Sequence, residues 1–261
     1  MHRPDPTAPF FIGYINKLPA GLKGFLGIVI ASLFAGFAGI ALALTLTQDD
    51  PGPGGFRFDL GYQTLTGVIE QGPYPVLRLP PSAGYPDGHA IMLSGQGKNG
   101  VRQQAAQFAG QVVDAGGILL KRGDLDMLQV GGEVGIRTSE TGLAPQDADF
   151  RPSDPVDLGV WRLTGEICDG KCYAGAMRPG RGLAHRACAN VCLIGGIPPV
   201  FVSTAPVAGR NFLLLGDLAG NPLPASLMRN VAQLIRIDGA VERRGDLLVF
   251  KIDPATLERL Q

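Results

Sequence analysis

Hydrophobic positions are spread unevenly along the chain. From Gly24 to Thr47 every residue is uncharged and most are apolar; beyond that run, apolar residues come in short stretches broken by Gly and Pro. As a helix the run extends ~36 Å, against a hydrocarbon core of ~30 Å, so it predicts a single transmembrane helix over residues 24–47. The later pattern, with 38 Gly and 21 Pro in the whole chain, predicts many short strands joined by turns. The fold class expected is mainly β.

A repeat refines that expectation. Leu65-Thr-Gly-Val-Ile69 matches Leu163-Thr-Gly-Glu-Ile167, and Lys121-Arg-Gly-Asp-Leu125 matches Arg243-Arg-Gly-Asp-Leu247. Each half reads as a strand opening on Leu-Thr-Gly, a middle strand (Ala90–Leu93 or Phe212–Leu215), a short helix (Val101–Phe108 or Ala225–Val231) and a hairpin into a last strand. The hairpins are expected at Ala115-Gly-Gly and at Arg244-Gly-Asp. Five strands with a helix before the fourth are wound like a small OB-type barrel, which predicts two tandem OB-like barrels. The divisions expected are a cytoplasmic segment 1–23, the helix, a linker 48–60, a first barrel 61–140, a linker 141–158 containing the Pro145–Pro155 stretch, and a second barrel 159–261. The offset between matched segments grows from 98 to 122, so the second copy carries an insertion after its first strand. Arg-Gly-Asp in both halves is read as hairpin turn chemistry. Trp161 is expected to fill a barrel end.

Charge sets the topology. Arg3, Lys17 and Lys23 precede the apolar run, while Asp49 and Asp50 follow it and the next basic residue is Arg57. By the positive-inside rule the N-terminus is cytoplasmic and the barrels are periplasmic or extracellular, on an inner (plasma) membrane. A cleaved signal peptide is the rival reading, because Ala41-Leu-Ala43 has the small-x-small form; its apolar region is normally shorter. Gly27, Ala31, Ala35, Gly39 and Ala43 recur every fourth position and line one face with small atoms, which points to a partner helix in the bilayer. Gly and Ala are also simply frequent in spanning helices. With formal net charge +0, no nucleic-acid partner is expected.

The candidate chemistry lies in the insertion. All four cysteines, Cys168, Cys172, Cys188 and Cys192, fall there, with His185 among them and Met177 nearby. Leu183 to Leu193 reads as a short helix ended by Gly195-Gly-Ile-Pro-Pro199, placing His185, Cys188 and Cys192 on one face. The ~10.5 Å rise from His185 to Cys192 keeps all three from one ion unless the helix breaks, so a site uses two helical ligands plus Cys168 or Cys172. Three readings stay open. Two disulfides would cross from Cys168 and Cys172 to the helix, as expected of an exported protein. A metal site would take zinc or copper(I), with Met177 as a soft extra donor for copper. A redox-active thiol pair is the third. Without C-x-x-C-H, covalent haem attachment is excluded.

Gly165-Glu-Ile-Cys-Asp169, Lys171-Cys-Tyr173, His185-Arg-Ala-Cys-Ala-Asn-Val-Cys192 and Gly195-Gly-Ile-Pro198 together resemble a group of small exported bacterial OB-like domains of unknown function. Their pattern is D-x-x-C, H-x-x-C-A-x-x-C and G-x-P. The resemblance covers the second half only and maps onto Asp169, Cys172, His185, Cys188 and Cys192, leaving Cys168 outside; it implies no activity.

No phosphate loop, nucleophile elbow, H-E-x-x-H or paired-carboxylate signature is present. Gly95-Gln-Gly-Lys-Asn-Gly100 has dinucleotide-type spacing but lacks the parallel βαβ context, and is read as a flexible connection. His2 and His89 are expected to be isolated and solvated. No catalytic residue is assigned. The function expected is a non-enzymatic accessory or assembly subunit of a membrane complex. The alternatives are a metal- or haem-handling factor, since bacterial haem chaperones also join one anchor to an OB barrel, and a thiol redox protein.

Overall fold

The computed structural model describes residues 20–47, 52–142 and 154–260. The charges at Arg3, Lys17, Asp49 and Asp50, His2, and residues 145–153 of the inter-barrel stretch lie outside the described residues. The chain divides into two units, residues 1–50 and 51–261.

Among its described residues the first unit holds one helix, α1 (Ala20–Thr47). It begins four residues before the expected start, because nothing between Ala20 and Gly24 breaks a helix and Lys23 is a good helix former. Its stretch Gly21–Leu46 is long and apolar enough to cross a membrane, and none of its most apolar window is buried by protein. The large side chains Phe25, Ile28, Phe34, Phe37 and Leu46 are exposed.

The second unit is built of β1 (Gly55–Phe56), β2 (Gln63–Glu70), β3 (Val76–Leu79), β4 (His89–Ser94), α2 (Arg102–Ala106), β5 (Val112–Arg122), β6 (Leu125–Val130), β7 (Ile136–Thr138), β8 (Val156–Asp169), α3 (Arg186–Ile194), β9 (Pro199–Val207), β10 (Arg210–Asp217), β11 (Ile235–Arg244), β12 (Leu247–Ile252) and β13 (Glu258–Arg259). Strands β2, β3, β4, β6 and β5 pair in a closed ring, with β4 and β6 parallel and the other pairs antiparallel. Strands β8, β9, β10, β12 and β11 close the same ring in the second half. The protein is mainly β, with two tandem OB-like barrels of five strands and a Cys/His-bearing helical insertion in the second.

The repeat has a physical cause at each end. The glycine of Leu-Thr-Gly lies where the first strand curls against its neighbour: a Cβ on Gly67 would stand 2.5 Å from the Arg78 carbonyl oxygen, and one on Gly165 2.2 Å from that of Val202. At the other end, Gly123 (φ 56°) and Gly245 (φ 59°) supply the left-handed residue of the hairpins β5–β6 and β11–β12. The expected hairpin at Ala115-Gly-Gly is instead the interior of β5. There Gly116 and Gly117 give way to the Tyr62 ring and the Gln129 carbonyl rather than to a turn. Part of the expected linker 48–60 is also ordered on the barrel: Gly55 and Phe56 pair with Lys121 and Leu120, and Phe58–Leu60 form a 3₁₀ turn.

Each barrel has its own core, around Ile69, Leu77, Leu93 and Leu128 in the first and Ile167, Phe201, Ile237 and Phe250 in the second. A third core joins them. Ala90 and Met92 of β4 and Leu125 and Met127 of β6 share it with Phe212 and Leu214 of β10 and Leu247 and Val249 of β12. These are matched positions of the two copies, so the barrels pack through equivalent faces in the manner of a two-fold dimer.

The polar rim of that junction changes the status of His89. It is 6% exposed, stacks on Tyr85 at 3.9 Å, and holds Asp246 through Nδ1 at 2.5 Å and Asp126 through Nε2 at 3.0 Å. It is therefore buried and paired, not solvated, because β4 begins against the other barrel's hairpin. Trp161 does not fill a barrel end: it lies on the outside of β8, 36% exposed, with Nε1 donating to the Leu158 carbonyl at 2.9 Å.

Candidate metal centre

The insertion leaves β8 at Asp169 and returns at β9. Cys172–Ala176 form a π-type turn, and Leu183–His185 form a 3₁₀ turn that changes into α3 at Arg186. The change of helix type falls directly after His185, whose ring groups with Cys172 and Cys188, while Cys192 groups with Cys172 and Asp169.

Asp169 organises the cluster. It is fully buried, one carboxylate oxygen accepts the Cys172 amide N–H at 2.8 Å, and the other meets His185 Nε2 at 2.8 Å. His185, 3% exposed, is thereby oriented with Nδ1 left for a further partner. The Cys172 Sγ lies 4.0 Å from the Sγ of Cys188 and 4.0 Å from that of Cys192. Two ligand groups share it, Cys172–His185–Cys188 and Asp169–Cys172–Cys192, each with its donor atoms within 4.8 Å of one another. Two thiolates on one zinc at ~2.3 Å stand ~3.8 Å apart, so the spacing found here suits a shared ion. All four thiols are free.

Cys168 is not brought to this cluster. One position before Asp169 on an extended strand, its side chain leaves the opposite face and packs into the core between the barrels with Tyr74, Met92 and Val200. Burial and the nearby carboxylates of Glu166 and Asp169 push its thiol well above the usual range. Met177 is also outside: it is exposed and absent from the apolar cluster that joins Cys172, Cys188 and Cys192.

The sequence alone did not reveal the two lysines. Gly95–Gly100, expected as a flexible connection, is docked on the end of α3. Gly95 N–H donates to the Asn99 carbonyl at 2.7 Å, and Gly100 N–H to the Gly195 carbonyl at 2.8 Å. The approach demands glycine on both sides, since a Cβ on Gly195 would stand 1.9 Å from the Lys98 carbonyl oxygen and one on Gly100 2.0 Å from that of Gly196. So held, Lys98 Nζ lies 2.8 Å from Cys188 Sγ and 3.7 Å from Cys192 Sγ. Lys171, 3% exposed, donates to the carbonyls of Gly95 and Gly97 at 2.7 and 2.8 Å. Comparison with protein-family models, curated proteins and solved structures finds no match.

The thiols are electrically unequal. A hydrogen bond with Cys192, together with burial and the Asp169 charge, pushes the Cys172 thiol far up. The same hydrogen bond, helped by Lys98 and by Cys188, holds Cys192 down to about 7 against the opposing effect of burial. Lys98 is raised, first by its hydrogen bond to Cys188, and burial lowers Lys171. A buried, lysine-flanked set of thiols with an oriented imidazole is suited to holding a soft metal ion. The carboxylate behind the imidazole matches the outer-shell support common for histidine ligands.

Proposed function

We propose that this chain is a membrane-anchored protein whose barrels lie on the periplasmic or extracellular side of a bacterial inner membrane. Its second barrel holds one soft metal ion, zinc or copper, through Cys172, His185, Cys188 and Cys192, and the protein serves as an accessory or assembly subunit of a membrane complex. The observation that carries this reading is the Asp169–His185 pair set beside Cys172, whose Sγ is 4.0 Å from two further thiols. A disulfide staple makes no use of a buried histidine held by a buried carboxylate. Lys23 in the first turn of the apolar helix supports the orientation, and the small-residue face of Gly27, Ala31, Ala35, Gly39 and Ala43 supports a partner helix. Nothing in this reading requires a substrate.

The test is metal and free-thiol content of the full chain purified in detergent without chelator. About one ion per chain, lost on His185→Ala and on Cys172→Ser, is expected for coordination by these residues. No metal and two free thiols, with Cys172 joined to Cys188 or Cys192, would sink the metal reading in favour of a redox or structural disulfide.

A further inference from the structure

We propose that Lys98, supplied by the first barrel, is the selectivity residue of the thiolate site and tilts it toward monovalent copper(I) over divalent zinc. This rests on the metal reading above and deepens it.

Thiolates attract a dication more strongly than a monocation, so three thiols by themselves favour zinc on charge alone. The charges just outside the donor set act the other way. Two ammonium groups lie beside the site, that of Lys98 on the Cys188 sulfur and that of Lys171 on the carbonyls of Gly95 and Gly97, against the carboxylate of Asp169. A fixed positive charge repels a dication twice as strongly as a monocation at the same place. Lys98 is the nearer of the two to the exposed side, with its Nζ 2.8 Å from Cys188 Sγ, so an ion bound to that sulfur lies within about 5 Å of the ammonium. Lysine is suited to the role as a compact point charge without acceptor atoms: it stabilises thiolate without becoming a ligand.

The placement of Lys98 is built, not incidental. Its loop is pinned to α3 through Gly100 N–H and the Gly195 carbonyl, and by the Lys171 ammonium through the carbonyls of Gly95 and Gly97. An ordinary exposed lysine has no such frame, and a backbone contact that admits only glycine on both sides holds this one over the sulfurs. Because Lys98 is exposed, water screens its charge. The difference between the two ions is therefore near the aqueous end of the range, about 1 kcal/mol for one unit of charge, or a fivefold change in relative affinity.

The experiment uses the full chain in detergent under anaerobic, reducing conditions and titrates zinc(II) and copper(I) separately against chromophoric chelators. Lys98→Met should raise the zinc-to-copper(I) affinity ratio about fivefold, and the shift should shrink as salt is added. Lys98→Arg, which keeps the charge, should hold the wild-type ratio. An unchanged ratio in Lys98→Met, a shift insensitive to salt, or an equal shift in Lys98→Arg overturns the assignment while leaving the metal site standing. Wild-type protein that binds neither ion overturns both.

Discussion

Replacing Asp246 by alanine removes the acceptor at the centre of the inter-barrel rim. Its carboxylate takes His89 Nδ1 at 2.5 Å, Arg78 Nη1 at 3.3 Å and the Ala90 amide at 2.9 Å. The Arg78 and His89 side chains are 4% and 8% exposed, so the partners left behind cannot turn to water. Each keeps one other acid, Glu70 for Arg78 and Asp126 for His89, which places the loss at the lower end of that for breaking a buried pair, about 3 kcal/mol. The repeat supplies an internal control. Asp124 is the matching residue of the first hairpin and reaches across to Arg210 at 3.0 Å, but both side chains are 28% exposed. Asp124→Ala should therefore cost at most about 1 kcal/mol. Urea unfolding of the full chain in detergent, followed by circular dichroism, should move the midpoint markedly for Asp246→Ala and little for Asp124→Ala. Equal shifts for the two variants would refute the argument that burial, rather than the Arg-Gly-Asp turn itself, sets the strength of the contact.

Two further outcomes follow from the same geometry. Gly195→Ala leaves an ordinary helical backbone angle (φ −71°) but drives a methyl into the Lys98 carbonyl. The Gly95–Gly100 loop should lift, Lys98 should leave Cys188, and the zinc-to-copper(I) ratio should move in the same direction as in Lys98→Met; a loop that stays in place by crystallography would contradict this. The junction should also be sensitive to pH on both sides. Burial opposes the charge on His89, but the hydrogen bonds and charges of Asp126 and Asp246 outweigh it and raise its pKa above 6.5. That contribution is full below pH 6.5 and fades as pH rises through the folded value. For Asp126 and Asp246, burial raises and the His89 partnership lowers, with a net shift below 3.8. Their contribution is full above pH 3.8 and is lost as pH falls through the folded values. Urea midpoints should be highest between these limits and fall toward alkaline pH, and His89→Gln should flatten the alkaline fall; an unchanged slope would refute the assignment.

Local pattern carried the parts of this fold that are local. The apolar run to Thr47, the Leu-Thr-Gly strands, the Arg122-Gly-Asp and Arg244-Gly-Asp hairpins and the short helix bearing Cys188 and Cys192 are each set by residues within a few positions of one another, so periodicity and turn chemistry locate them. What escaped depends on contacts across more than thirty positions. His89 looked solvated because both its acids, Asp126 and Asp246, are remote in sequence. Spacing left Cys168 and Cys172 open as alternatives, and only the resemblance set Cys168 apart, because spacing does not say that the far face of β8 meets another barrel. Lys98 carried one usable signal, a lysine in a glycine-rich turn directly after a buried strand. Its target, α3, lies ninety positions away, as the bond to Cys188 shows.

The two-fold arrangement explains why the first barrel reaches a site it does not contain. In each copy the loop after the middle strand crosses to the connection between the first and second strands of the other. From the second barrel, Gly216 comes against Pro73, and the Leu223 amide donates to the Tyr74 hydroxyl at 3.2 Å. From the first barrel the equivalent loop meets the corresponding connection of its neighbour, and only there has that connection grown into the Cys/His insertion. A crossing contact present in both directions has thus become chemistry in one. The candidate centre is in this sense shared: Cys172, His185, Cys188 and Cys192 come from one barrel, the positive charge over them comes from the other, and the junction through His89 and Asp246 joins the two. Charge at the thiols and packing at the rim are consequently linked, since any change that lets the barrels slip moves Lys98 relative to Cys188 before it disturbs a single ligand.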